Sequence, residues 1–186
     1  MNLWNQLLGL WKAPRLAGPA AALYEAVVRQ ARQPAFYAEC GVADTLDGRF
    51  DMIVLHAVLV IARLQPHAGL PRELAQALFD HLFTDMDHSL REIGAGDMGI
   101  APRIKKMARA FYGRAQAYQE GLAQGDAALS EALLRNLFRG EDPGAPRRTA
   151  LTAYVRREHD ALSRQSLDRF LAGEVQFGPP PSPGSA

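Results

Sequence analysis

A chain of 186 residues with 48% hydrophobic and 22% charged side chains is long enough to bury one sizeable core, and one domain is expected. The formal net charge of +1 argues against an obligate nucleic-acid binder, so no specific DNA binding is expected, although a local basic surface stays open. Cys40, the sole cysteine, leaves no intrachain disulfide and no cysteine-built zinc site; it fits a reducing compartment and reads as a small buried apolar group.

The chain opens MNLWNQLLGLWKAPRLAG, without the basic start, continuous apolar run and small-residue cleavage site of a secretory signal. Trp4, Leu7, Leu8 and Trp11 fall at helical spacing ahead of Lys12 and Arg15, which suits an amphipathic helix lying in a membrane interface. The plainer alternative is a segment folded onto its own bundle, or a frayed end. Residues 1–18 are therefore set apart from a helical domain over 19–173 and a tail over 174–186.

After Pro19, AAALYEAVVRQARQ predicts a helix that Pro34 stops. VADTLDGRF reads as a turn with Asp47–Gly48 as its sharpest bend. RFDMIVLHAVLVIARL is apolar on nearly every face, as suits a central helix wrapped by others. Its uncharged run, Met52 to Ala62, falls short of the about 20 residues that a membrane span needs. His56 within it reads as a hydrogen-bonded core histidine rather than a haem or metal ligand.

Pro71 opens the next helix, in which Leu74, Leu78, Leu82, Met86, Leu90 and Ile93 form one apolar stripe, with Gly94 as a left-handed cap. Pro102 is expected to open a second long helix, burying Ile104, Met107, Phe111, Ala115, Tyr118 and Leu122. Gly125 marks a turn, with Asp126 as the N-cap of AALSEALLRNLF. GEDPGAPRR reads as a surface loop, LTAYVRREHDALSRQSLDRFLAG as a final helix, and GPPPSPGSA as a disordered proline-rich tail. No strand pair or repeat is apparent, and the expected architecture is an all-α, single-domain multi-helix bundle.

Chemistry concentrates in LFTDMDHSLREIGAGDMGIAPRIKKM. A calcium loop starting at Asp85 fails, because Leu90 and Gly96 stand where glycine and glutamate are required. His81, Asp85, His88 and Glu92 line one strip of a helix and are all metal-binding residue types, so a small metal-dependent enzyme is the alternative reading. Bundle metal sites draw ligands from several helices, however, and no second Glu-x-x-His pair occurs. A polar helix flank is the preferred reading. His159–Asp160 evokes a phosphohydrolase only weakly, and Asp80 with Asp85 has the wrong spacing, in too short a chain, for the aspartate-rich helix of an isoprenoid synthase. The glycine turn lacks the preceding strand and the Gly-Lys-Ser/Thr ending of a phosphate loop, so Gly94, Gly96 and Asp97 read as the corner of a helical hairpin. No acid occurs from Met98 through Gln119, where Arg103, Lys105, Lys106, Arg109 and Arg114 make a basic run. On the helical wheel Lys105, Lys106 and Arg109 point away from the apolar stripe, and the run reads either as a solvated face paired with some of Asp85, Asp87 and Glu92 across the hairpin, or as a patch for anionic lipid, ribosomal RNA or an acidic partner.

Two blocks, VADTLDGRFDMIVLHAVLVIARL and DMDHSLREIGAGDMGIAPRIKKMARAFYGR, resemble the recognisable segments of the ubiquinol–cytochrome c chaperone family, over roughly residues 20–125. Ala43 stands where the family pattern has proline, and Ala95 where valine is usual. Positions matching the family motif are Asp44, Asp47, Gly48, Arg49, Asp51, Asp85, Asp87, Arg91, Glu92, Gly94, Gly96, Asp97 and Lys106. The resemblance implies an all-helical, non-enzymatic assembly factor for the bc1 complex, without cofactor or metal. Its expected partners are a protein client, cytochrome b, and also the ribosome or a small partner subunit. The expected docking residues are Lys105, Lys106, Arg109, Asp85, Asp87 and Arg91. A bacterial member would work in the cytoplasm, in peripheral contact with the anionic inner face of the inner membrane.

Overall fold

The computed structural model describes residues 14–92 and 97–182, with backbone only for residue 14 and for 97–101. Among the described residues a 3-10 turn (Pro14–Leu16) leads into eight helices: α1 (Ala17–Ala31), α2 (Pro34–Ala38), α3 (Leu46–Leu64), α4 (Leu70–Glu92), α5 (Asp97–Gln124), α6 (Asp126–Asn136), α7 (Ala145–Arg164) and α8 (Leu167–Leu171). No strand occurs among them, and the all-α architecture expected from the periodicity is the one found. Trp4, Leu7, Leu8, Trp11, Ile93, Gly94 and Gly96 lie outside the described residues, as does the side chain of Asp97.

α3 is the hub of the bundle. Every residue from Asp51 to Ile61 is buried, and the helix packs against α1, α4, α5 and α7. Fully burying side chains such as Leu55, Leu59, Ile61 and Leu64 contributes about 1.5–3 kcal/mol each, which is why an almost uniformly apolar helix ends at the centre. The amphipathic helices then present one stripe apiece: Leu74, Leu78 and Leu82 from α4, and Phe111, Ala115 and Tyr118 from α5, are all fully buried. Met86, Ile104, Met107 and Leu122 continue the two stripes at the edge of the core.

Local chemistry departs from the sequence expectations in several places. α7 begins at Ala145, inside the expected surface loop, and the expected single final helix breaks at Gln165 and Ser166 into α7 and α8. Asp47–Gly48 is not a bend but part of the first turn of α3, because Thr45, extended at the N-cap, accepts a hydrogen bond from Gly48 N–H at 3.1 Å. α5 begins at Asp97, so Pro102 lies inside it and forgoes one helical hydrogen bond rather than opening the helix. Gly125, at φ 113°, caps α6 and moves Asp126 into the first turn, where it pairs with Arg156 on α7. In the tail, residues 174–182 carry no helix, as their composition predicts, and side chains of the bundle meet their backbone: Gln165 holds both backbone groups of Gln176, and Gly178 is bonded to Glu158 and Gln30. Residues 183–186 lie outside the described set.

Candidate functional site

The first motif folds back on itself at the start of α3. A Cβ on Gly48 would lie 2.0 Å from the Ala43 carbonyl oxygen, so the chain can cross over the first helical turn only with glycine there. This crossing splits the motif's charges. Asp44 and Arg49 pair at 2.6 Å on the outside, which holds the Asp44 carboxyl below its usual range, while Asp51 points inward.

Asp51 is 0% exposed and is gripped by two arginines. Arg114 Nη2 of α5 stands 2.8 Å from Oδ1, and Arg139 Nε donates to Oδ2 at 2.9 Å. Arg139, whose backbone adopts φ 56°, also reaches Asp47 Oδ2 at 2.8 Å. Burial pushes the Asp51 carboxyl up from its ordinary value, while the two guanidiniums oppose that shift. The cluster ties the head of α3 to α5 and to the turn after α6. Arg114 therefore stands apart from the outward-facing Lys105, Lys106 and Arg109 of the same basic run. Its register says so: it follows Phe111 by three residues and precedes Tyr118 by four, on the buried face of the helix. Arg139 has no comparable sequence signal.

The second motif is spent partly on the fold. Tyr24 of α1 donates its hydroxyl to Asp85 Oδ2 at 2.7 Å and packs against the His81 ring edge-on at 5.1 Å. Burial, then the Asp85 carboxylate, raises the Tyr24 phenol above its ordinary range. Asp87 pairs with Arg91 on its own helix at 2.7 Å, and that guanidinium lowers the Asp87 carboxyl. His88 and Glu92 face solvent. Thus two members of the His81–Asp85–His88–Glu92 strip are engaged with Tyr24, and among the described residues no three His, Cys, Asp or Glu side chains are placed to hold a metal ion.

Arg103, Lys105, Lys106 and Arg109 are exposed on α5, and no ion pair joins them to the α4 acids among the described residues. The hairpin acids turn to Tyr24 and Arg91 instead, so the basic face remains open. A groove of about 570 Å³ lies on another side of the bundle, lined by Arg32, Pro34, Tyr37, Ala38, Val42, Asp44 and Arg49. No helix among the described residues is long and apolar enough to cross a membrane.

A family model described as ubiquinol-cytochrome C chaperone matches residues 38–177, which carries the likeness beyond the two motifs through α6, α7 and α8. The ubiquinol-cytochrome-c reductase complex assembly factor 1 of Xenopus laevis is 24% identical over 161 residues, covering 86% of this chain and 80% of that protein. The human protein of the same description is also 24% identical over 161 residues, but the chain spans only 54% of its length. The crystal structure of the Cbp3 homolog from Brucella abortus is similar at a TM-score of 0.80 and 39% identity, over 90% of this chain and 93% of that one.

Proposed function

The chain belongs to the ubiquinol-cytochrome C chaperone family, and on that premise we propose that it is a non-enzymatic assembly factor for the bc1 complex, with cytochrome b as its protein client. The match over residues 38–177 carries this reading, because it takes in both motifs and most of the helices that position them. The geometry supports it. The buried motif groups are committed to the scaffold, Asp51 to Arg114 and Arg139 and Gly48 to the crossing at Ala43, which leaves a rigid bundle bearing an open basic face.

Lys105, Lys106 and Arg109 form the docking face in this reading, while Asp85, Asp87 and Arg91 on α4, the other expected docking residues, are engaged with Tyr24 and with each other. A ribosome or a small partner subunit could share the docking face. The same face attracts an anionic membrane by about 1 kcal/mol for each cation that reaches the surface. With Trp4, Leu7, Leu8 and Trp11, it would hold the protein in peripheral contact with the inner membrane from the cytoplasmic side. Photo-crosslinkers placed at positions 105, 106 and 109 in living cells test the proposal. Crosslinks to newly made cytochrome b are expected. Cells that actively assemble the complex but give no crosslink from any of the three positions would contradict the assignment of the face.

A further inference from the structure

The C-terminal strap is held by its backbone. Gln165, at the C-cap of α7, accepts from Gln176 N–H at 3.1 Å and donates to its carbonyl at 2.7 Å, so one amide side chain reads both groups of that residue. At the next anchor Glu158 Oε2, on a side chain 1% exposed, accepts from Gly178 N–H at 2.8 Å, and Gln30 Nε2 of α1 donates to Gly178 O at 2.8 Å. Between them Phe177 stands edge-on to His56 at 5.3 Å. Arg157 then bonds the Pro179 carbonyl, and the Cys40 thiol faces the Pro181 carbonyl at 3.6 Å.

Three features make this a recognition groove rather than a chance resting place. The two residues read at both N–H and C=O, 176 and 178, alternate as an extended peptide requires, and Pro179 and Pro181 add carbonyl contacts only. Position 178 is selective: a Cβ there would lie 2.7 Å from Glu158 Oε1, and that carboxylate is pinned by Arg157 as well as by the strap. The prolines that follow have no N–H to leave unpaired. Beneath the strap lie Phe36, Cys40, His56 and Tyr154, all at most 1% exposed with the strap in place. The strap follows the last helix, α8, so it can lift without unwinding any helix.

We propose that the cleft between α1 and α7 is a binding site for an extended partner segment containing an aromatic–glycine pair, and that residues 174–182 occupy it in cis until such a segment displaces them. The site goes beyond the assembly reading and does not depend on which client the chaperone serves. Because a short tether holds the tail at an effective concentration of about a millimolar, a competing peptide must approach that range.

Cys40, the sole cysteine, reports the opening in the full chain. The rate at which a thiol reagent labels it is measured alone, with the peptide EVQFGP (residues 174–179), and with the same peptide carrying valine in place of Gly178. EVQFGP supplies the anchors but ends before Pro181, so it should uncover the thiol. Labelling alone should be slow and independent of low urea. EVQFGP should raise it at least tenfold and saturably, and the valine peptide should not. The full-chain Gly178→Val variant should label at least tenfold faster without peptide, with its far-UV circular dichroism unchanged. Labelling that occurs only through global unfolding, equal effects of the two peptides, or a Gly178→Val rate equal to wild type would overturn the proposal. A concentration-dependent dimer that protects Cys40 would assign the groove to a second copy's tail and overturn the partner.

Discussion

His56 links the buried core to the stability of the protein at acidic pH. Its Nδ1–H donates to the Met52 carbonyl at 2.8 Å, which leaves Nε2 to accept from the Tyr154 hydroxyl at 2.7 Å, and Tyr154 in turn accepts from Gln30 at 2.9 Å. The neutral ring thus satisfies every partner, and a second proton would need a new acceptor where Tyr154 already donates. Burial pushes the His56 pKa down to about 4. In the unfolded chain the ring titrates near 6.5, so between those values the unfolded state takes up a proton that the folded state refuses. The contribution is complete above pH about 6.5, falls as the pH is lowered, and levels off below about 4. Its full span is roughly 3 kcal/mol. Urea unfolding from pH 7.5 to 4.5, for wild type and His56→Gln, checks it. Wild type should lose about 2–3 kcal/mol more than the variant across the range. Asp44 and Asp87, held low by Arg49 and Arg91, titrate alike in both proteins and cancel in the difference. Parallel stability curves would refute the reasoning, since His56 would then take its proton as readily folded as unfolded.

Asp51→Asn removes the charge that Arg114 and Arg139 share while both guanidiniums keep some access to solvent, and should cost about 1–3 kcal/mol by chemical denaturation. Gly48→Ala drives a methyl into the Ala43 carbonyl and should cost about 1–3 kcal/mol. Gly113→Ala, in a helix with open space around it, should stabilise by about 0.5–1 kcal/mol, and thermal melts of the two alanine variants should move in opposite directions. Replacing Lys105, Lys106 and Arg109 with glutamate should leave the melting temperature close to wild type, each exposed site changing stability by under about 0.5 kcal/mol, while abolishing co-purification of cytochrome b with the tagged chain.

The helices were legible because burial follows period. Leu74, Leu78 and Leu82, and Phe111, Ala115 and Tyr118, announce their faces by spacing alone, and the unbroken apolar run of α3 announces its place at the centre. Polar side chains were misread where tertiary partners decide their fate. Nothing local tells Asp51 that Arg139, far along the chain, will turn back to it, or tells Asp85 that Tyr24 will claim it from the basic face. Arg114 shares the basic run with Lys105, Lys106 and Arg109 but not their register, and its partner Asp51 lies too far along the chain to be read from either. The tail shows what composition leaves out: a proline-rich segment cannot form a ladder of its own, but it can be held from outside, and Gln30 and Glu158 do so from helices and Gln165 from the cap of α7, with no sign of that role in their local sequence.

The claim that this chain assembles the bc1 complex is tested most directly by the amount of spectroscopically detectable cytochrome b in membranes of cells that lack it. The account predicts a strong loss, restored by the wild-type chain and not by the variant with glutamate at positions 105, 106 and 109. Cytochrome b at its normal level in the absence of the chain would contradict it.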